Sequence, residues 1–170
     1  MRITLLFVTL LMFSVSSVFA QQPMKFGHIS SDEIFALMPG KADVDKQLEA
    51  EYKKQEGVLG TLQEQLKQKQ DDYMKVVKTL SKEDKAAREQ ELMEMNKKAQ
   101  NFYLLAQQQL KAKEQELNAP LIKKLETIIQ EVGDEQGFLF IFELNSGLPV
   151  YHSTKSIDIA PFVKTKLGIQ

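Results

Sequence analysis

Ser81-Lys82-Glu83-Asp84 carries the signature of a helix start, a hydroxyl cap followed by acidic residues, in the middle of a run that is already helical. That run extends from about Asp43 to about Val132 and is rich in Glu, Lys, Gln, Leu and Ala, which favour helix. Within it lie one proline, Pro120, and two glycines, Gly57 and Gly60. One reading is a single rod with Ser81 on its wet side, whose ends would stand well over ~100 Å apart. The other is a hairpin: one helix ends near Thr79 or Leu80, and Ser81 caps the next. The hairpin is favoured, because it brings the strand-like ends of the chain together.

The outgoing half carries a coiled-coil seam. Tyr52, Leu59, Leu66, Tyr73 and Leu80 recur every seventh residue, with Leu48, Leu62 and Val76 on the interleaved position. Gln55 and Lys69 break the second row. The return half offers Leu92, Met95, Ala99, Phe102, Ala106, Leu110 and Leu117, a spacing that drifts from strict heptads and suits a loosely wound pair. Gly57 and Gly60 each cost the outgoing helix up to ~1 kcal/mol relative to Ala, so the base of this arm is expected to be softer than its tip. Pro120 is expected to kink the return helix.

The flanks read as a small body. Lys25 to Ile29 is a strand candidate, and Ser30 with Glu33 fits a capping box for a short helix that Pro39-Gly40 ends. Beyond Pro120, Leu121, Ile122, Leu125, Ile128, Ile129 and Val132 form a far more apolar, core-like helical face. Phe138 to Leu144 is the strongest strand, apolar on both faces and so expected to be buried on both. Asn145-Ser146-Gly147 reads as a hairpin turn into a returning strand, Leu148 to Tyr151, and Asp158 as the cap of a last short helix stopped by Gly168. The expected division is therefore a body of 21–42 and 120–170, and an arm of 43–119 with its tip near 79–84. A body this small often depends on oligomerisation. Phe26, Ile29, Phe138, Phe140, Phe142 and Leu144 are the residues expected to complete a sheet or barrel with other copies.

Arg2, the apolar run Ile3 to Phe13, and Val18-x-Ala20 read as a secretory signal peptide cleaved after Ala20. No Cys occurs, so thiol chemistry and a disulfide framework are excluded. The chain has 22 basic and 23 acidic residues, and it shows no basic field for nucleic acid.

This order of elements resembles the Skp/OmpH family of periplasmic chaperones. The residues that carry the likeness are the strand Lys25 to Ile29, the helix ending Leu37-Met38-Pro39, the charged hairpin, and the strand Phe138 to Leu144. The turn Asn145-Ser146-Gly147 and the closing Ser156-Ile157-Asp158-Ile159-Ala160-Pro161-Phe162-Val163 complete it. The resemblance implies an α+β chain that forms a homotrimer. Strands of three copies would build a β-barrel body, and three hairpins would enclose a cavity. Unfolded outer-membrane proteins would be held there without ATP or any cofactor, in the periplasm. The best-known members have strongly basic arms, which help them capture lipopolysaccharide. Residues 43–119 here carry 14 basic and 15 acidic side chains, so lipopolysaccharide is not an expected partner and hydrophobic contact should matter more.

Client contacts are sought where two apolar residues adjoin, because a two-helix seam cannot bury both. Tyr73-Met74, Val76-Val77, Leu92-Met93 and Phe102-Tyr103 nominate Met74, Val77, Met93 and Tyr103, with Met suited to varied partners. The bland alternative is that these residues only hold the helices together. Catalysis finds no support: His28 and His152 are far apart in sequence, and no phosphate loop or His–Glu metal spacing occurs. A structural or adaptor coiled coil of the cell envelope is the main rival, but it would want a stiffer seam. A membrane-lying amphipathic hairpin is weaker still, lacking Trp and a large basic face.

Overall fold

The computed structural model describes residues 24–169; the expected signal peptide, 1–20, lies outside the described residues. Strand β1 (Lys25–Ile29) leads into helix α1 (Ser31–Ala36) and then into the long helices α2 (Lys41–Val76) and α3 (Lys82–Gln136). Strand β2 (Phe138–Glu143), a 3₁₀ turn (Leu144–Ser146), strand β3 (Ile157–Asp158) and helix α4 (Ala160–Leu167) follow. Helices α2 and α3 have 36 and 55 residues, or about 54 and 83 Å at ~1.5 Å per residue.

They form an antiparallel hairpin. The chain turns between Val76 and Lys82, and Ser81 is the N-cap of α3: its Oγ accepts the Asp84 backbone N–H at 3.0 Å and donates to the Asp84 carboxylate at 2.7 Å. The helical assignment is unbroken across Pro120.

The sheet has the order β2-β1-β3, and both pairings are parallel. One face is covered. Ile29 of β1 joins Ile34 and Met38, then Leu125, Ile128 and Val132 of α3, and Ile159, Val163 and Leu167 of the closing segment, in one buried cluster. Phe138 and Ile141 of β2 pack against it. The surplus length of α3 beyond its pairing with α2 is thus the wall of the core.

The sheet departs from the expected hairpin. Residues 148–151 form no strand, and the partner of β2 is β1. Pro149 lacks a ladder donor, and the edge of β2 ends in a local knot: the Glu143 carboxylate accepts the Asn145 N–H at 3.2 Å, and Ser146 Oγ donates to the Glu143 carbonyl at 2.8 Å. The same carboxylate accepts the Ser31 N–H at 3.1 and 3.2 Å. It therefore serves the start of α1 in place of the expected Ser30–Glu33 box, as Ser30 makes no side-chain cap bond. A third strand, β3, was not expected. Asp158 lies in it and still serves α4, accepting the Ala160 N–H at 2.9 Å.

A bulge decides which phenylalanines face the core. Lys25 pairs with Phe138 but Phe26 pairs with Phe140, so Leu139 is an extra residue. Phe138 is thereby turned to the covered side, while Phe140 and Phe142 share the opposite side with Phe26. The expectation of burial on both faces is not met by the described residues of one chain: Phe140 remains 58% exposed.

Gly27 marks the tightest approach in the body. A Cβ there would lie 2.9 Å from Ile159 Cγ2 and 3.1 Å from the Phe138 ring, below normal contact. Gly27→Ala should therefore lower stability by about 1–3 kcal/mol, seen as a lower urea midpoint with an unchanged slope; an unchanged midpoint would contradict the packing described.

Candidate functional site

Two surfaces of this fold hold more apolar side chain than a single chain buries: the arm, and the open face of the sheet. The arm's seam changes character along its length. At its middle the only fully buried α3 residues are Ala99 and Ala106, which allow close approach but offer little contact. Leu92, Met95, Phe102, Leu110 and Leu117 are half-buried around them, as are Leu48, Leu59, Leu62, Leu66, Tyr73 and Val76 of α2. Toward the tip the links are polar. Tyr73 donates its phenol to Glu89 at 2.5 Å, and Lys69 pairs with Glu91 at 2.7 Å. The hydrogen bond to Glu89 holds the Tyr73 phenol above its ordinary pKa range. Lys69 is thus a bridge between helices, and Gln55 is half-buried and bonded to Glu51 on its own helix.

Tyr52, read as a seam residue, is instead 54% exposed. It lines a groove of about 530 Å³ with Leu59, Phe102, Tyr103, Ala106 and Leu110; Ala106 is too small to fill the space. Leu59, Leu66, Ala99, Tyr103 and Leu104 line a second groove of about 610 Å³. Tyr103 sits at the border of both.

Of the four nominated contacts, Met74 is 70% exposed, Met93 65%, and Tyr103 48%. Val77 is different. It is half-buried and forms the C-cap of α2, its N–H bonded to the Tyr73 carbonyl at 2.9 Å, so it serves the turn. The sequence reading passed over Leu104 and Leu105, both more than half exposed. They extend the apolar run Phe102 to Leu105, and as adjacent apolar neighbours they too cannot all be buried in a two-helix seam. Met93, Tyr103, Leu104 and Leu105 all lie on α3, and Met74 lies on α2 near the tip.

On the open sheet face, Phe26, Phe140 and Phe142 form a stacked trio with centroids 6.1–6.4 Å apart. Beside them a groove of about 920 Å³ runs between the sheet and the segment 147–156, which contributes Leu148, Pro149 and Tyr151. Val150 is 99% exposed. Leu144 is half-buried and lines this groove. Ile29 and Phe138, nominated with this set, belong to the other face: Ile29 is in the core, and Phe138 packs on it beneath the Lys25 ammonium, 4.3 Å from its ring centroid.

Across this face His28 and His152, remote in sequence, are stacked at 4.3 Å, with His28 Nδ1 within 2.9 Å of Ser156 Oγ. Among the described residues no cluster of three or more His, Cys, Asp or Glu could hold a metal ion, and no helix is long and apolar enough to cross a membrane.

A family model described as outer membrane protein (OmpH-like) matches residues 25–167. The chain is 27% identical over 134 residues to a protein named chaperone protein Skp from Photorhabdus laumondii, a match spanning 76% of this chain and 79% of that one. It is 26% identical over 131 residues to the protein of the same name from Photorhabdus luminescens, covering 75% and 77%.

Packing does not call for the two arm glycines. No atom lies within 4 Å of a Cβ built at Gly57 or Gly60. Gly57→Ala and Gly60→Ala should each stabilise α2 by up to ~1 kcal/mol. Thermal melts followed by helical circular dichroism would show the gain; a loss would mean the glycines meet a packing demand.

Proposed function

The chain belongs to the OmpH-like family, and from that premise we propose that it is an ATP-independent holdase for unfolded outer-membrane β-barrel proteins in the periplasm. The curated relatives are named as chaperones, and chaperones of this family are not enzymes. The observation that carries the reading is the surplus of exposed apolar side chain on the arm. Met74, Met93, Tyr103, Leu104 and Leu105 stand outside the seam, on a hairpin whose charges nearly cancel. Such a surface grips by burying apolar area, which is non-directional and tolerant of sequence. It suits clients that share hydrophobicity and little else, and it offers no basic patch for lipopolysaccharide.

The working particle is a homotrimer after cleavage near Ala20. Phe26, Phe140, Phe142 and Leu144 of each copy close a shared β-barrel body, and the arms, 43–119, surround a cavity. The open sheet face supports this reading, since stable soluble proteins seldom leave a contiguous aromatic patch uncovered. Ile29 and Phe138 hold the fold of each copy and do not bridge copies. Val77 sets the tip turn and makes at most a minor client contact.

The decisive experiment is sedimentation of the exported protein, alone and after dilution of a urea-denatured outer-membrane β-barrel into the same buffer. A trimer that keeps the barrel soluble in a defined complex is the expected result. A monomer, or a trimer beside a precipitated barrel, would sink the proposal and favour an adaptor coiled coil. Substituting Met93, Tyr103 and Leu104 together by Ser should weaken capture at least tenfold, because each buried large side chain is worth ~1.5–3 kcal/mol, while leaving the mass unchanged. Phe140→Glu should shift the mass toward monomer.

A further inference from the structure

The histidine pair lies on the open sheet face, where neither core packing nor arm function requires it. His28 belongs to β1, its backbone registered between Phe142 of β2 and Asp158 of β3. His152 belongs to the segment 147–156, which otherwise meets the sheet through Leu148, Pro149 and Tyr151 along the groove. The 4.3 Å ring stack and the 2.9 Å contact of His28 Nδ1 with Ser156 Oγ are the polar fastenings of that segment.

The charged residues that line the groove beside the pair are basic. Lys155 of the segment and the phenol of Tyr151 line the same groove, and no carboxylate lines it; the Lys25 ammonium is turned to the Phe138 ring and the Gln136 carbonyl. Asp158, registered beside His28, is the nearest acidic residue in the sheet, and its Oδ1 accepts the Ala160 N–H. Glu143 at the end of β2 is held by the Ser31 and Asn145 N–H groups.

We propose that the stacked His28–His152 pair is an acid-released latch that holds segment 147–156 on the open sheet face and so controls access to the assembly surface. The control of assembly rests on the reading of that face as the subunit interface; the latch itself does not. Neutral imidazoles stack face to face without charge repulsion. Imidazole is the side chain that ordinarily gains its charge between pH 8 and 5, and two imidazolium rings at this spacing repel one another, with Lys155 of the segment adding charge of the same sign. Charge on both rings opposes the stack, so the segment is held at neutral pH and released in acid.

The test is hydrogen exchange of the 147–156 amides in the exported protein at about pH 7.5 and 5.5, corrected for intrinsic rates, beside sedimentation at both. Acidification should raise exchange of the segment by a factor of about five to ten, the size of one like-charge repulsion at a wet surface, and, by uncovering the assembly surface, should strengthen association. His152→Phe keeps a ring on the stack and cannot be protonated, so its segment should stay protected at both pH values. His28→Gln keeps a partner for Ser156 and should lose the acid response too. Exchange that is the same at both pH values in the wild type, or that rises equally in His152→Phe, overturns the latch. A protein that is monomeric at both pH values but shows the exchange response removes the assembly reading and leaves the latch standing.

Discussion

The parallel pairing of β1 with β2 is the constraint on which the rest of the molecule depends. Parallel neighbours cannot be joined by a tight turn; the chain must cross over to begin the second strand at the same end as the first. Here the crossover contains α1, α2 and α3, and most of its length is spent on the hairpin that leaves the sheet and returns. The arm is thus an insertion in an ordinary strand–helix–strand connection. Its return leg does two jobs, giving the seam its Ala99 and Ala106 and the core its Leu125, Ile128 and Val132.

That arrangement covers one side of the sheet only. Helices α1, α3 and α4 and the residue Ile159 supply the buried cluster on the side of Ile29 and Ile141, and among the described residues no further helix or strand covers the side of Phe26, Phe140 and Phe142. The bulge at Leu139 sharpens the division. It removes Phe138 from the open face and leaves two β2 rings to stack with Phe26. The segment 147–156 lies along that face without closing it, since Leu148, Val150 and Tyr151 are themselves exposed.

The arm repeats the same imbalance in helical form. Its seam relies on small residues at the middle and on Tyr73–Glu89 and Lys69–Glu91 toward the tip, contacts that are exposed and therefore weak. Apolar side chains that such a seam cannot take up remain on its flanks. Both surfaces follow from a chain whose apolar content, among the described residues, exceeds what its own topology encloses.

Much of this was legible in the sequence because it is governed by local rules. Helix-forming composition, the heptad of Leu59, Leu66 and Tyr73, and the cap at Ser81 depend on residues within a turn or two of one another. The family likeness, read from the order of elements, is matched by the family model over residues 25–167. What only the tertiary structure decided involves partners far apart in the chain. Residues 148–151 looked like a strand but do not join the free edge of β2, because the 3₁₀ turn at Leu144–Ser146 ends that strand and Pro149 lacks a ladder donor. A two-residue strand such as β3 has too little pattern to read, and the Leu139 bulge that reassigned Phe138 is a property of register. Glu143 capping α1, and the meeting of His28 with His152, require the sheet to exist first. Periodicity tells which residues seek burial; the pairing of distant strands determines which of them find it.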